Sequence, residues 1–211
     1  MAQNRDKINA KRLFDLLESI SKFVDRKTRM YALGGTALTI LNIKNSTLDI
    51  DINIDTDKEY EYVKEIFGQV GFEKISSIRW ITREGLIFDV FHGSNILGTD
   101  LLSDCLKKSK FIKAFGNIEL YTLSLQDIII SKLARGEDRD FEDIKAILKK
   151  EKIDLKGLVD RYKKTMEVST VSMYKQRLLD LIEIKFKEWG FKLNHELIGE
   201  VRKWQHPLKK N

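Results

Sequence analysis

Asp49 and Asp51 stand two positions apart in the run Leu48-Asp49-Ile50-Asp51-Ile52-Asn53-Ile54-Asp55. Isoleucine alternates there with a carboxylate or an amide, and side chains on an extended strand leave opposite faces in turn. The spacing predicts a strand with one apolar face and one acidic face, both carboxylates on the latter. Two anions held that close repel, each raising the other's pKa unless a cation joins them. Mg²⁺ suits such a pair, which it completes with water and substrate phosphates. Asp89 offers a third carboxylate from within Leu86-Ile87-Phe88-Asp89-Val90-Phe91. A charge among such neighbours is costly to bury unless it is paired or bound to metal. If that strand lies beside the first, three carboxylates converge, as phosphoryl transfer on two divalent ions (Mg²⁺ or Mn²⁺) requires. Blander readings remain open beside this one. The acidic face also fits the solvated side of an edge strand, and Asp89 fits an ion pair with Arg79 or Arg83. Asn53 and Asp55 read as polar neighbours rather than ligands.

A second element precedes the acidic strand. Gly34-Gly35-Thr36 separates the short apolar strand Arg29–Leu33 from a short apolar helix, Thr36–Leu41. Glycines let a backbone approach a phosphate closely, and a helix start offers free N–H groups. Gly34, Gly35 and the Thr36 hydroxyl are therefore candidates to hold a nucleotide's phosphates. A glycine pair alone makes only a turn; its meaning comes from the acidic strand that follows.

The elements that must position these residues follow from periodicity. Asp6–Asp25 has apolar residues at helical spacing. Thr56 or Asp57 can cap a helix running to about Val70, broken at Gly71. Lys74–Thr82 and Leu86–His92 read as antiparallel strands around the turn Arg83-Glu84-Gly85. A short helix over Asp100–Lys107 and a small hairpin across Gly116 come next. From Ser124 the chain reads as helical: Leu125–Ala134, Phe141–Lys149, Asp154–Met166, Val171–Trp189 and Asn194–Trp204. The expected fold class is α+β, a mixed β-sheet flanked by helices and followed by an all-helical C-terminal region. The expected division is 1–122 and 123–211.

Of the 211 residues, 42% are hydrophobic and 33% charged, enough apolar material for a core and too much for a disordered chain. The lone cysteine, Cys105, has no partner for an internal disulfide. It reads as a packed thiol and fits a reducing, cytoplasmic setting. Met1–Arg12 lacks the apolar stretch of a signal peptide, and no run reaches the roughly 18 apolar residues of a membrane helix. A net charge of +6 and a pI of about 9.2 favour anionic partners. The Lys-rich stretches carry few aromatics, so a stacking platform for single strands is not indicated. His195 and His206 have no sequence neighbours that suggest a metal site, while His92 follows the Asp89 strand and reads either as a residue touching the site or, more ordinarily, as a strand-end surface group. Trp80, Trp189 and Trp204 read as core or interface residues.

Taken together, Gly34-Gly35-Thr36, a short helix and Thr47-Leu48-Asp49-Ile50-Asp51-Ile52 resemble the signature of the polymerase-β-like nucleotidyltransferases, with Asp89 as the third strand aspartate. Lys132-Leu133-Ala134-Arg135 followed by Arg139-Asp140-Phe141-Glu142-Asp143 is similar to a region of the small stand-alone AbiEii-like members. The resemblance covers about residues 28–148. It implies that Gly34, Gly35 and Thr36 hold the triphosphate, and that Asp49, Asp51 and Asp89 bind two Mg²⁺ ions. It further implies that Asp89 helps deprotonate the acceptor hydroxyl and that Lys132 reaches a nucleotide phosphate. The implied reaction moves a nucleoside monophosphate from an NTP to a hydroxyl of tRNA, a protein or a small molecule, in a toxin–antitoxin or defence setting with an antitoxin or other partner protein. One departure stands out. Many relatives carry an arginine where this chain has Asn45, and Arg79 or Arg83 are the candidates to replace its guanidinium. The rival expectations are a nucleotide-binding module without turnover, acting through a protein partner, and an RNA-binding adaptor that uses the helical half.

Overall fold

In the computed structural model, which describes residues 7–205, two compact units partition the chain. The first runs to Ile96 and resumes over Ser103–Ser124; the second takes Leu97–Leu102 and the chain from Leu125 onward. The polar start of the chain before residue 7, and His206, lie outside the described residues.

The first unit is built on a mixed sheet. Its strands are β1 (Thr28–Ala32), β2 (Asp49–Ile54), β3 (Glu73–Lys74), β4 (Arg79–Ile81) and β5 (Ile87–His92). The two-residue strand β6 (Asn95–Ile96) follows, then β7 (Thr99–Asp100), which belongs to the second unit, and the hairpin of β8 (Lys110–Phe115) and β9 (Ile118–Thr122) completes the first. The seven-stranded sheet has the order β3-β4-β5-β2-β1-β9-β8. β2 pairs parallel with β5 and antiparallel with β1, and β1 pairs parallel with β9. The acidic strand is thus an interior strand, which removes the reading of its polar side as an exposed edge.

Three helices accompany the sheet: α1 (Ala10–Ser21), α2 (Gly34–Ile40) and α3 (Asp57–Gln69). Asn9 and Thr56 cap α1 and α3, each side chain accepting from the backbone N–H three residues on. Phe67 of α3 packs on Phe72, Trp80 and Phe88 with ring centroids 4.9–5.8 Å apart. Phe88 is the register partner of Ile50, so this aromatic cluster covers the isoleucine face of β2 and leaves the aspartates on the other.

The second unit is helical: α4 (Leu125–Arg135), α5 (Asp138–Lys150), α6 (Leu155–Val168), α7 (Tyr174–Leu179), α8 (Phe186–Glu188) and α9 (His195–Lys203). Arg161 of α6 donates Nε and Nη2 to the two carboxylate oxygens of Asp127 on α4, at 2.6 and 2.9 Å, both residues buried. No described helix is long and apolar enough to cross a membrane.

Three expectations about elements are corrected. Residues 101–109 form turns rather than a helix: Lys108 and Ser109 close back onto Asp104 and Leu106, while Cys105 is buried as a packed residue. Lys74–Thr82 is not one strand, because Ile75 and Ser76 both bond back to the Arg79 carbonyl and turn the chain between β3 and β4. The helix expected over Val171–Trp189 is broken in kind. A π-helical stretch, Asp180–Lys185, separates α7 from α8; such stretches insert an extra residue per turn.

Candidate active site

The parallel register of β2 and β5 sets Asp51 opposite Asp89 and Asp49 opposite Ile87. Register partners share a face, so Asp49, Asp51 and Asp89 rise from the same side of the sheet. Asp49 and Asp51 are half-buried; Asp89 is only 6% exposed. The antiparallel register of β4 and β5 then brings Arg79 opposite Asp89. Its Nε and Nη2 donate to the two oxygens of Asp89 at 2.7 and 2.6 Å. This forked, charge-assisted geometry is the strong form of the ion pair. The bond to Asp89 raises the pKa of the Arg79 guanidinium above its ordinary value, burial opposes, and the charges of Asp89, Asp49 and Asp51 add to the rise. One cation thus senses all three carboxylates.

Asp89 pairs with Arg79 and not with Arg83, which is exposed and lies against Gly71. Counting outward from the turn Arg83-Glu84-Gly85 pairs 79 with 89, so the signal for this partner was present in the hairpin itself. Asn45 lies exposed in the turn before β2.

The glycine turn leads into α2, which packs on β2. Gly34 adopts φ +44°, in the left-handed region that favours glycine. A Cβ on Gly35 would stand 2.9 Å from the Thr47 hydroxyl. Thr36 is fully buried. Its hydroxyl accepts from the Asp51 N–H at 2.9 Å and donates to the Asp49 carbonyl at 3.2 Å. The Thr47 hydroxyl also donates to the Asp49 carbonyl, at 3.0 Å. Both threonines therefore clamp the backbone that carries the aspartates. The Thr36 hydroxyl, expected to meet a phosphate, is engaged by β2. A buried threonine after a glycine turn gives no sequence sign of which way its hydroxyl points.

Asn53 is buried, its Nδ2 donating to the Gly93 carbonyl at 3.2 Å, while Asp55 is exposed. His92 is exposed, with Nδ1 3.0 Å from Asp57 Oδ1.

A sequence family described as "Nucleotidyltransferase of unknown function (DUF6036)" matches residues 11–192. The chain belongs to this nucleotidyltransferase family. Among solved structures it is similar to a protein of Thermotoga maritima, TM1012, named a "putative nucleotidyltransferase". Identity is 16%, TM-score 0.45, and the match covers 72% of this chain and all of that one. No match is found among curated proteins.

In this family member Lys132 sits in the helical unit, 2% exposed. Its Nζ lies 2.6 Å from Asp143 Oδ2 and 3.3 Å from Asp140 Oδ1. Arg135 also donates Nε to Asp140, at 2.7 Å, and Asp140 completes a capping box with Glu137 at the start of α5. The ammonium expected to reach a nucleotide phosphate is thus held between two carboxylates that join α4 to α5. Arg139 is exposed and pairs with Glu137 at 2.6 Å.

Asp49 and Asp51 are a donor set of the kind that Mg²⁺ takes beside water and phosphate. Among the described residues no three Asp, Glu, His or Cys side chains are set to hold an ion together. The third carboxylate of the expected two-ion set is turned to Arg79.

Proposed function

We propose that this protein moves a nucleoside monophosphate from an NTP to an acceptor hydroxyl, releasing pyrophosphate, in a metal-dependent reaction. One observation carries the reading: Asp51 opposite Asp89 in register, with Asp49 on the same face, in a member of a nucleotidyltransferase family. Asp49 and Asp51 are the residues that would hold a divalent ion. When bound, that ion supplies a lower pKa for the attacking hydroxyl and positive charge for the leaving group. The acceptor oxygen bonds to the α-phosphorus, the bond to the bridging oxygen breaks, and pyrophosphate departs. The hydroxyl proton passes to the Asp89 carboxylate as general base. Backbone at Gly34-Gly35 comes closest to the phosphates, while Thr36 and Thr47 keep the aspartates in place. The acceptor belongs to one of three classes: tRNA, a protein side chain or a small molecule. A toxin or defence role with a partner protein is the setting that the AbiEii-like resemblance suggests.

The test is label transfer. The full chain is incubated with each labelled NTP, Mg²⁺ or Mn²⁺ and a cell extract, with Asp51→Asn beside it. Transfer to an acceptor that the variant loses by at least about a hundredfold, a typical catalytic-group effect, supports the proposal. Transfer undiminished in Asp51→Asn sinks it. A second reading, nucleotide binding without turnover, is favoured by the Arg79–Asp89 pair; it predicts NTP binding and no labelled acceptor.

A further inference from the structure

Arg79 meets Asp89 on the acidic face as a closed ion pair. It engages both oxygens of Asp89 through its fork, so the lone pairs that face it are closed to any other ligand. The two partners are not equally free. The Asp89 side chain is 9% exposed and fixed on β5, with a register neighbour on either side; the Arg79 side chain is 37% exposed. Arg79 also stands on the three-residue strand β4, whose outer neighbour, β3, has two residues. If this pair opens, the guanidinium moves and the carboxylate stays.

We propose that Arg79 is the resident counter-cation of Asp89, and that a divalent ion gains this third carboxylate only by displacing Arg79 from it. This rests on the metal-dependent reading above. An incoming ion repels the guanidinium and attracts the carboxylate, so both forces open the same pair. The released guanidinium has a natural next partner, since its planar fork matches a phosphate as well as a carboxylate. Arg79 thereby supplies the guanidinium that Asn45 does not. Metal entry, base release and phosphate capture become one exchange of partners, which keeps the acidic cluster closed until a metal-bound nucleotide arrives.

The measurement is Mn²⁺ binding to the nucleotide-free full chain by calorimetry and by electron paramagnetic resonance of free Mn²⁺. Arg79→Gln is expected to bind Mn²⁺ about tenfold tighter than the parent chain, the scale on which one charge-assisted pair competes. The gain is expected to vanish in the double variant Arg79→Gln with Asp89→Asn. A role confined to holding β4 on β5 would leave Mn²⁺ affinity unmoved or lower it. If Arg79→Gln melts too early to assay, Arg79→Lys keeps a cation without the fork and should show a smaller gain in the same direction, together with a larger Mn²⁺-induced rise in Tm. Equal or weaker Mn²⁺ binding by the folded Arg79 variants overturns the proposal and leaves the metal-dependent reading standing. No Mn²⁺ binding by any of these folded proteins overturns both.

Discussion

Thr36 closes the small gap between the glycine turn and the acidic strand with a single oxygen. Its hydroxyl serves the N–H of Asp51 and the carbonyl of Asp49 at once. Thr36→Val preserves shape and removes that oxygen, leaving a backbone donor without its partner. A buried polar group left so costs about 1–3 kcal/mol. Urea unfolding should show a loss of that size, transfer activity should fall with it, and Thr36→Ser should recover most of both. Lys132 invites a contrasting test. Removing one partner from a buried charge cluster costs about 3–5 kcal/mol, so Lys132→Met should lower stability by that order in a denaturant series. A rise in KM for NTP with stability unchanged would instead return Lys132 to the nucleotide. These two residues mark where sequence stops being informative. Alternation placed Asp49 and Asp51 on a common face because it is periodic, whereas Asp89 joins them only because β5 lies beside β2 in register. The direction of a hydroxyl, or the partner of an ammonium, depends on side chains far along the chain and leaves no periodic trace.

At the scale of elements, the strand and the turn before it are fitted by contact rather than by propensity. Gly35 is tolerated as the second residue of α2 because the space where its Cβ would lie is filled by Thr47. Gly35→Ala should cost about 1–3 kcal/mol through overpacking, read from thermal melts. Pairing it with Thr47→Ala should return part of that loss, since the clash is with a side chain. A double change no better than the single one would mean that the backbone of α2 itself resists the methyl. The long amphipathic elements were legible from spacing: α1, α3, α4 and α5 fall within a few residues of their apolar patterns. The turns over residues 101–109 and the π-helical stretch in the last third were not. Apolar residues at helical spacing do not reveal which hydrogen bonds the backbone closes.

For the whole molecule, the consequence is a chain of two units with different sensitivities. The helical unit is tied by buried ion pairs, Arg161 with Asp127 and Lys132 with Asp143 and Asp140. Burial pushes the Asp140 carboxyl up, but its bonds to Arg135, the charges of Lys132 and Arg135 and the Glu137 N–H outweigh burial and hold it below the usual range. With the folded pKa depressed, the unfolded chain takes up the proton first. The stabilisation is present above the unfolded value of about 4 and is lost as pH falls through the folded one. Far-UV melts between pH 7 and pH 3 should show Tm dropping at the acid end, with a shallower drop in Asp140→Asn.

The order of strands in the sheet has a temporal side. β1 needs β9 as its parallel neighbour, Thr28 beside Ile118 through Ala32 beside Thr122, and β2 needs β5, Asp49 beside Ile87. Contacts between such distant stretches of chain are slow to form, because loop closure precedes any reward. On the ribosome the strand that carries Asp49 and Asp51 must wait for β5, and its neighbour β1 must wait longer for β9. Until then the acidic strand has a neighbour on the β1 side only, and no cluster is assembled. A chain arrested before residue 87 would lack Asp89 altogether, so the three-carboxylate face cannot assemble while the first half of the protein is still being made.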